Sequence, residues 1–291
     1  MASSSPEELL KTAEKRAAST GGFFSFGSSS STRLEEAAEL YKAAANKFRA
    51  ANRFDEAGHA FMKAAETEVK AGEVDYAANT FFEASKSFKM TRPELAVTAL
   101  TRCRQILIDR GRFRQAADRE KSIAELYKSE AHDPQKALAS YEQAAEWYIQ
   151  EGAAATASGC YREAAQLATD VADYKRAIER WEQVAQMSLD SNLTRYSVKD
   201  YYLNAGMCYL AIPDYVACGN AMGFYATSDP SFPTTMEGRF LHSLLEACEA
   251  GDVNGLDERV QDYDRTKKIV GWQASLLRNV RKGVMEEPDL S

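Results

Sequence analysis

The sequence has little of what catalytic, secreted and membrane-spanning proteins need. Its 291 residues contain no run of 18 or more apolar residues, so no membrane-spanning helix is predicted. Residues 1 to 8 lack the basic and apolar segments of a signal peptide, and the five cysteines are widely spaced without a CxxC pair. The cysteines are therefore expected to be small core residues of a cytosolic protein. With three histidines and no nucleophile–base set, cofactor motif or metal spacing, we expect no enzyme, cofactor or metal.

What is present is mainly material for helices. The chain is 45 % hydrophobic and 27 % charged, with 7 Pro and 16 Gly, which is typical of a folded globular protein. The good helix formers are abundant, whereas Val and Ile are sparse. An all-α fold is predicted.

A repeat of about twenty residues is the most informative feature. An alanine recurs at intervals of 19 to 21 residues, at Ala37, Ala57, Ala77, Ala96, Ala116, Ala137, Ala157 and Ala177. A large apolar residue follows four positions later in seven of the eight units, and Glu120 stands there in the unit of Ala116. A small or β-branched residue follows seven positions later in six units. These offsets lie on one face of a helix, so we interpret the aromatic residues as packing residues.

The spacing leaves room in each unit for one helix and a short turn. Turn signals fall between the units, at Gly72, Arg92-Pro93, Arg110-Gly111, His132-Asp133-Pro134 and Gly152. Paired units predict a solenoid of antiparallel helical hairpins, similar to tetratricopeptide (TPR) repeats. The pattern weakens near residue 190, and helices expected at 200–211, 217–225, 237–250 and 270–284 would form a bundle that caps the solenoid. We therefore predict three parts: residues 1–32, the repeats 33–190, and a C-terminal bundle with an acidic tail, 191–291.

The N-terminal part combines an amphipathic helix over residues 6–18 with an aromatic loop. Phe23, Phe24 and Phe26 lie among Gly and Ser residues, which favour a mobile loop. Two interpretations stay open: these side chains pack on the solenoid, or they insert into a bilayer or a partner. Insertion of each ring would contribute about 1.5–3 kcal/mol, giving weak and reversible attachment.

Charge is segregated along the chain, although the net charge is −7. Residues 86–122 hold ten basic and four acidic groups, whereas residues 237–264 hold eight acidic and two basic groups. This distribution favours two partners of opposite charge, and the plain alternative is scattered surface charge. Nucleic acid is not an expected partner, because the chain is acidic and has no such motif.

Several segments together resemble the soluble NSF attachment proteins, of the alpha-SNAP type and its fungal counterparts. They are 22–26 (GFFSF), 33–41 (RLEEAAELY), 43–48 (AAANKF), 111–113 (GRF), 137–144 (ALASYEQA), 196–202 (YSVKDYY) and the ending 289–291 (DLS). Their order and spacing extend the resemblance over essentially the whole chain. The YSVKDYY segment and the acidic-Leu ending are its most specific parts.

The resemblance implies a twisted sheet of helical hairpins with a C-terminal bundle. It also implies an adaptor that binds assembled SNARE four-helix bundles, syntaxin-like and related, through a basic concave face. The adaptor would recruit and stimulate the hexameric ATPase NSF, which disassembles SNAREs in vesicle fusion and intracellular transport, ER–Golgi transport included. Such a protein is cytoplasmic and peripheral on the cytosolic face of membranes.

Site residues carried over from the resemblance fall into three groups. The SNARE-facing positions are Lys89, Arg112 and Lys199. The membrane-attachment positions are Phe23, Phe24 and Phe26. The NSF-facing positions are Asp214, which matches with a shift of one residue, Glu246, Glu249 and the penultimate Leu290.

The sequence departs from the family pattern at three basic positions. Asp118 and Gly159 stand where a SNARE-contacting lysine is implied, and Glu163 stands at a third basic position. Because Arg119 and Arg162 are adjacent, either the contacts have shifted by one residue or SNARE affinity or partner choice differs. A generic TPR-type peptide-binding adaptor or co-chaperone is the alternative function. That alternative does not account for the aromatic loop or the acidic-Leu ending.

Overall fold

The computed structural model describes residues 5–18 and 30–286, which form fourteen α-helices and two 3-10 helices and no strand. The first seven are α1 (Pro6–Ala18), α2 (Ser30–Ala50), α3 (Phe54–Ala71), α4 (Val74–Phe88), α5 (Pro93–Asp109), α6 (Phe113–Ser129) and α7 (Pro134–Gln150). The others are α8 (Ala154–Asp170), α9 (Tyr174–Leu189), α10 (Val198–Ala211), α11 (Tyr215–Ser228), α12 (Met236–Glu249), α13 (Val253–Thr266) and α14 (Gly271–Glu286). The 3-10 helices are Arg195–Ser197 and Phe232–Thr234. The predicted all-α fold is confirmed.

The twenty-residue repeat forms the core, as predicted. All eight repeat alanines are fully buried, at 0 % exposure. The large residues four positions later are buried too, at 5 % exposure or less: Tyr41, Phe61, Phe81, Leu100, Tyr141, Tyr161 and Trp181. Phe81, for example, packs in one cluster with Ala65 and Ala77. A large side chain therefore fills the space that a small residue leaves, which gives close packing between successive helices.

Glu120, the exception in the repeat, is also buried, at 4 % exposure. Arg104 on α5 pairs with its carboxylate. A buried carboxylate is tolerated when it is paired in this way. This repeat unit thus has an ion pair at the position where the other seven units have a large apolar side chain.

The turns between helices follow the predicted signals. Gly72, Gly111 and Gly152 have φ values of 90°, 69° and 69°, in the left-handed region where glycine has no steric penalty. Pro93 and Pro134 open α5 and α7, where the missing backbone N–H has no helical partner to lose.

The chain forms two compact units that divide between Glu151 and Gly152. In the first unit, from α1 to α7, each helix packs mainly on its neighbours in sequence, as expected of a solenoid. Helix α1 covers one end, with Ala13 in a cluster with Tyr41 and Ala64.

The second unit, from α8 to α14, is built around α10, which packs on α9, α11, α12 and α14. Helix α13 is not among the helices predicted from the sequence. Its few buried residues, Leu256 and Tyr263 among them, stand among charged residues, so its apolar pattern is weak. The predicted boundary at residue 190 stays a prediction.

None of the helices in residues 5–18 and 30–286 is both long and apolar enough to cross a bilayer. No group of acidic, His or Cys side chains in the same residues is arranged to hold a metal ion.

Candidate functional site

Lys89 is an exposed cation of the first unit. It is the C-cap residue of α4, beside a small cavity of about 200 Å³ whose lining includes Phe82, Leu100 and Leu126. Lys86 lies on the same rim and pairs with Glu83 at 2.6 Å. Among the described residues no acidic partner contacts Lys89. Its charge is therefore available to an external partner.

Arg112, in contrast, already has a partner. It is the N-cap residue of α6, and its guanidinium lies 3.3 Å from a carboxylate oxygen of Asp75 in the first turn of α4. Arg110 reaches the other oxygen of Asp75 at 3.5 Å. Both arginine side chains are about half exposed, at 47 %, so solvent screens these pairs and a competing acidic partner has access to them.

The same arrangement recurs along the first unit. The N-cap arginine of one helix pairs with an acidic residue in the first turn of the helix two earlier. The pairs are Arg53 with Glu7, Arg92 with Asp55, and Arg112 with Asp75. We call this series the N-cap ladder. Part of the basic charge in residues 86–122 is therefore already paired between helices of the first unit.

Two further cations of the basic stretch are exposed without an acidic partner among the described residues. They are Arg102 on α5 and Arg114 on α6. No motif in the sequence singles out these two arginines. Exposure and pairing distinguish them from the other arginines, and neither property follows from one-dimensional spacing.

Lys199 lies in the second unit and differs from both Lys89 and Arg112. Its side chain is 22 % exposed, its ammonium lies 3.3 Å from Oε2 of Glu237, and Glu237 is almost fully buried at 1 % exposure. The ammonium also stands 4.5 Å from the centre of the Tyr196 ring. Lys199 is thus held by the interior of its own unit.

Glu237 belongs to a network of four charges that joins the start of α10, the start of α12 and the end of α13. Lys267 donates to Oε1 of Glu237 at 2.7 Å and also to Asp200. Burial alone would raise the pKa of Glu237, but the hydrogen bonds from Lys267 and from the backbone, together with the charges of Lys267 and Lys199, hold the pKa below its ordinary value. For Lys267, burial opposes the charge, and the hydrogen bonds to Asp200 and Glu237 raise its pKa above the ordinary value. Both groups are therefore charged at neutral pH.

The acidic candidates Asp214, Glu246 and Glu249 are exposed side chains of the second unit. Asp214 caps α11, because its Oδ1 accepts a hydrogen bond from the backbone of Ala217 at 2.9 Å. Glu246 lies 3.4 Å from the imidazole of His242 one turn earlier. Glu249 ends α12 with no ion-pair partner among the described residues. The two glutamates add negative charge to the last turn of α12, where the helix dipole is already negative, and a basic partner would relieve this repulsion.

Comparison with known proteins identifies the chain. The family model described as "Soluble NSF attachment protein, SNAP" matches residues 4–285. The chain belongs to the SNAP family. It is 44 % identical to the "Vesicular-fusion protein SEC17" of Coprinopsis cinerea, over 99 % of both chains. It is 37 % identical to the "Probable vesicular-fusion protein sec17 homolog" of Schizosaccharomyces pombe, over 98 % of both chains. It is 35 % identical to the human "Alpha-soluble NSF attachment protein", over 97 % of this chain and 96 % of the relative.

The structure shows what occupies the positions that depart from the SNAP pattern. Asp118 accepts a hydrogen bond from the hydroxyl of Tyr148 at 2.6 Å, so it has a structural role inside the first unit. Gly159 on α8 has open space where a side chain would extend, and Glu163 is half-buried.

The two arginines beside these positions differ from each other. The guanidinium of Arg119 lies 3.5 Å from the centre of the Phe82 ring, where it is held by a cation–π contact. Arg162 is exposed. A basic contact shifted by one residue is therefore sterically available at Arg162, whereas Arg119 would first have to leave Phe82.

Four SNAP-family candidates lie outside the described residues: Phe23, Phe24, Phe26 and Leu290. Their assignment to membrane attachment and to NSF stimulation rests on the resemblance and stays a prediction.

Proposed function

We propose that this protein is the adaptor that joins an assembled SNARE bundle to an NSF-type ATPase, which then takes the bundle apart. Membership of the SNAP family over nearly the whole chain supports this function. The human relative is named as an attachment protein of NSF, and two fungal relatives are named as vesicular-fusion proteins. A general peptide-binding TPR adaptor is not favoured, because the match is to this family along its full length. The chain itself acts by binding, without catalysis.

Lys89 carries the strongest argument for a SNARE-binding residue, because it is exposed and unpaired among the described residues. Its ammonium can reach acidic side chains of a helical bundle, and the cavity beside it offers an apolar lining. Arg112 would contribute by exchanging Asp75 for a partner carboxylate. Lys199 would contribute through the exposed part of its ammonium while Glu237 holds it in place. The basic groups would position the SNARE bundle and speed its association.

Asp214, Glu246, Glu249 and Leu290 would bind NSF. Phe23, Phe24 and Phe26 would attach the protein to the cytosolic face of a membrane, where it is a peripheral protein. Several copies on one SNARE bundle would strengthen this weak attachment through multivalency.

The deciding experiment is disassembly of a fluorescently labelled SNARE complex by NSF and ATP, with and without this protein. Disassembly that requires the protein supports the adaptor function. If NSF is active with a control adaptor and the folded protein has no effect, the proposed function is wrong.

The SNARE-binding face is tested by charge reversal with a matched control. Lys89→Glu should weaken SNARE pull-down, more at low than at high ionic strength, because salt screens exposed charges. Lys70→Glu reverses an exposed lysine of the same unit at the end of α3 and should leave the pull-down unchanged. Equal effects of the two variants would show a general charge effect and would remove Lys89 from the site.

Lys199 requires a gentler substitution, because Lys199→Glu would place a second carboxylate beside the buried Glu237. Lys199→Gln removes the charge and keeps most of the side chain. A loss of SNARE binding with unchanged hydrogen exchange in α12 would support a direct contact. A loss that is accompanied by faster exchange in α12 would assign Lys199 to stability.

Gly159→Lys restores the basic residue that the family pattern implies. The position is open, so the lysine should fit without displacing a neighbour. We expect tighter SNARE binding by this variant, with Gly159→Ala as the uncharged control. Unchanged affinity would show that this part of α8 does not face the SNARE bundle.

The NSF-binding group is tested with substitutions that keep the fold. Asp214→Asn removes the charge but keeps a good N-cap residue, and Glu249→Lys reverses an exposed charge. Both should lower stimulation of the NSF ATPase and leave SNARE pull-down intact, as should Leu290→Ala. Full stimulation by these variants would exclude the residues from the NSF contact.

A further inference from the structure

A polar cavity lies in the first unit, and none of the candidate SNARE-binding residues lines it. Its volume is about 480 Å³, and α2, the end of α3 and the start of α4 surround it. The lining residues are Glu35, Ala38, Glu39, Lys42, Glu68, Ala71, Glu73 and Tyr76. A volume of this size is sufficient for a side chain of a binding partner.

Glu68 is the unusual residue of this cavity. It is 4 % exposed, and Lys42 lies 3.0 Å from its Oε1. Its other carboxylate oxygen, Oε2, is buried and has no hydrogen-bond partner within the described part of the chain. A buried charged acceptor without a donor is destabilising, so Glu68 would gain a hydrogen bond by turning Oε2 toward a donor that enters the cavity.

The rest of the lining makes the cavity attractive to a cation. Glu39 approaches the ammonium of Lys42 at 2.6 Å, so two carboxylates already surround the only cation of the lining. Burial opposes the charge of Lys42, but the hydrogen bonds to Glu39 and Glu68 raise its pKa above the ordinary value. With Glu35 and Glu73 the lining has four carboxylates against one ammonium.

Tyr76 adds an aromatic surface to this charge. Its side chain is 61 % exposed while it lines the cavity. An exposed ring beside a cluster of carboxylates can stack on a planar cation that the carboxylates attract. No three of the carboxylates in the described residues are arranged to hold a metal ion.

We propose that this cavity binds the guanidinium group of an arginine side chain from a partner polypeptide. The guanidinium donates to Oε2 of Glu68 and stacks on the ring of Tyr76. Arginine suits the cavity better than lysine, because its fork presents several donors in one plane, stacks on aromatic rings and is less strongly hydrated. The proposed function leaves this acidic site of the first unit unused, so the inference stands independently of SNARE binding.

The test uses N-acetyl-arginine amide as the probe and the ¹⁵N-labelled full-length protein. Amide shifts of residues 68–76 in a heteronuclear NMR titration report binding in the cavity. We expect saturable shifts, and Glu68→Gln should weaken binding about tenfold or more, because a charged acceptor is lost. Glutamine keeps the shape of the side chain and can still accept from Lys42.

Glu66→Gln is the matched control, since it removes the same charge from an exposed position of the same helix. It should leave the affinity within about twofold of the wild type. Tyr76→Ala, at an exposed position, gives a second variant that does not depend on the packing of Glu68. This variant should also weaken binding of N-acetyl-arginine amide. Weakening by both Glu68→Gln and Tyr76→Ala, with Glu66→Gln unchanged, supports the site.

Three outcomes would overturn the proposal. Absence of saturable shifts would mean that the cavity holds solvent only. Equal weakening by Glu66→Gln would indicate a general charge effect. Equal binding of N-acetyl-lysine amide would exclude the guanidinium as the preferred group.

Discussion

The two units of this SNAP-family protein hold their helices together through different kinds of contact. The first unit buries alanines against large apolar side chains, three of its arginines pair at the starts of helices in the N-cap ladder, and its buried carboxylates Glu68 and Glu120 each pair with a single cation. The second unit encloses charges: Glu237 is 1 % exposed, and Glu182 accepts a hydrogen bond from the buried Tyr225. Regular stacking rests mainly on the fit of small and large side chains, whereas the irregular helices of the second unit are also positioned by a network of several buried polar groups.

This difference predicts that removing a cation of the charged network in the second unit lowers stability far more than removing a cation of the N-cap ladder in the first unit. Lys267→Met should reduce the stability of that unit by about 2–3 kcal/mol, because it removes the ion-pair partner of Asp200 and leaves Glu237 with Lys199 alone. The value is reduced from that of a fully buried pair, since the Lys267 side chain is 39 % exposed. Arg112→Met, which breaks a half-exposed pair of the ladder, should change stability by less than about 1 kcal/mol.

Hydrogen exchange followed by mass spectrometry separates the two effects, because peptides from each unit are observed individually. Faster exchange in α10, α12 and α13 of Lys267→Met, with the first unit unchanged, is the expected pattern. Similar losses in Lys267→Met and Arg112→Met would show that the two units do not differ in the way their charges contribute.

The packing of the first unit is tested by adding one methyl group. A Cβ atom at Gly58 would lie 2.5 Å from the ring of Phe88, which is fully buried and would have to shift. Gly58→Ala should therefore destabilise the protein by about 2 kcal/mol. Gly159→Ala meets no atom within 4 Å and should stabilise its helix by about 0.5–1 kcal/mol.

Thermal unfolding of Gly58→Ala and Gly159→Ala measures these changes in stability. Opposite signs of the change in melting temperature are expected. Destabilisation by both substitutions would mean that helix α8 is strained at Gly159, and tolerance of both would mean that the first unit is less tightly packed than the structure shows.

The polar positioning of the second unit is tested by removing a single hydroxyl. Tyr225→Phe deletes the hydrogen bond of 2.6 Å to Glu182 and leaves that carboxylate with a longer contact of 3.4 Å from Tyr209. Burial raises the pKa of Tyr225, so its hydroxyl is a neutral donor at all ordinary pH values. A loss of about 1.5 kcal/mol is expected in chemical denaturation. An unchanged unfolding midpoint would mean that another donor replaces Tyr225.

The regular unit could be predicted from the sequence, and the irregular one only in part. Ala57 and Phe61 lie on one helix face at a fixed spacing, so their burial follows from periodicity alone. Glu237 and Lys267 are 30 residues apart in sequence, and no local pattern shows that they meet. The same reason applies to the candidate site. Lys89 could be selected from the resemblance. The lack of an acidic partner for Lys89 among the described residues depends on which helices stack, and so does the ion pair of Arg112 with Asp75.

The smallest expected effect is the pH dependence of the charged network. The pKa of Glu237 is lowered in the folded state, so its ionised form contributes stability above the ordinary glutamate pKa of about 4.3. That contribution is lost as the pH falls below this value and the carboxylate takes up a proton. Glu237→Gln lacks the titrating group and should be less stable than the wild type at pH 7. The difference between the two proteins should shrink as the pH is lowered toward 3, because a protonated glutamate resembles glutamine. Denaturation curves of both proteins at several pH values measure that difference. A constant difference would show that Glu237 acts through packing and not through its charge, and the contrast between the two units would then be one of shape alone.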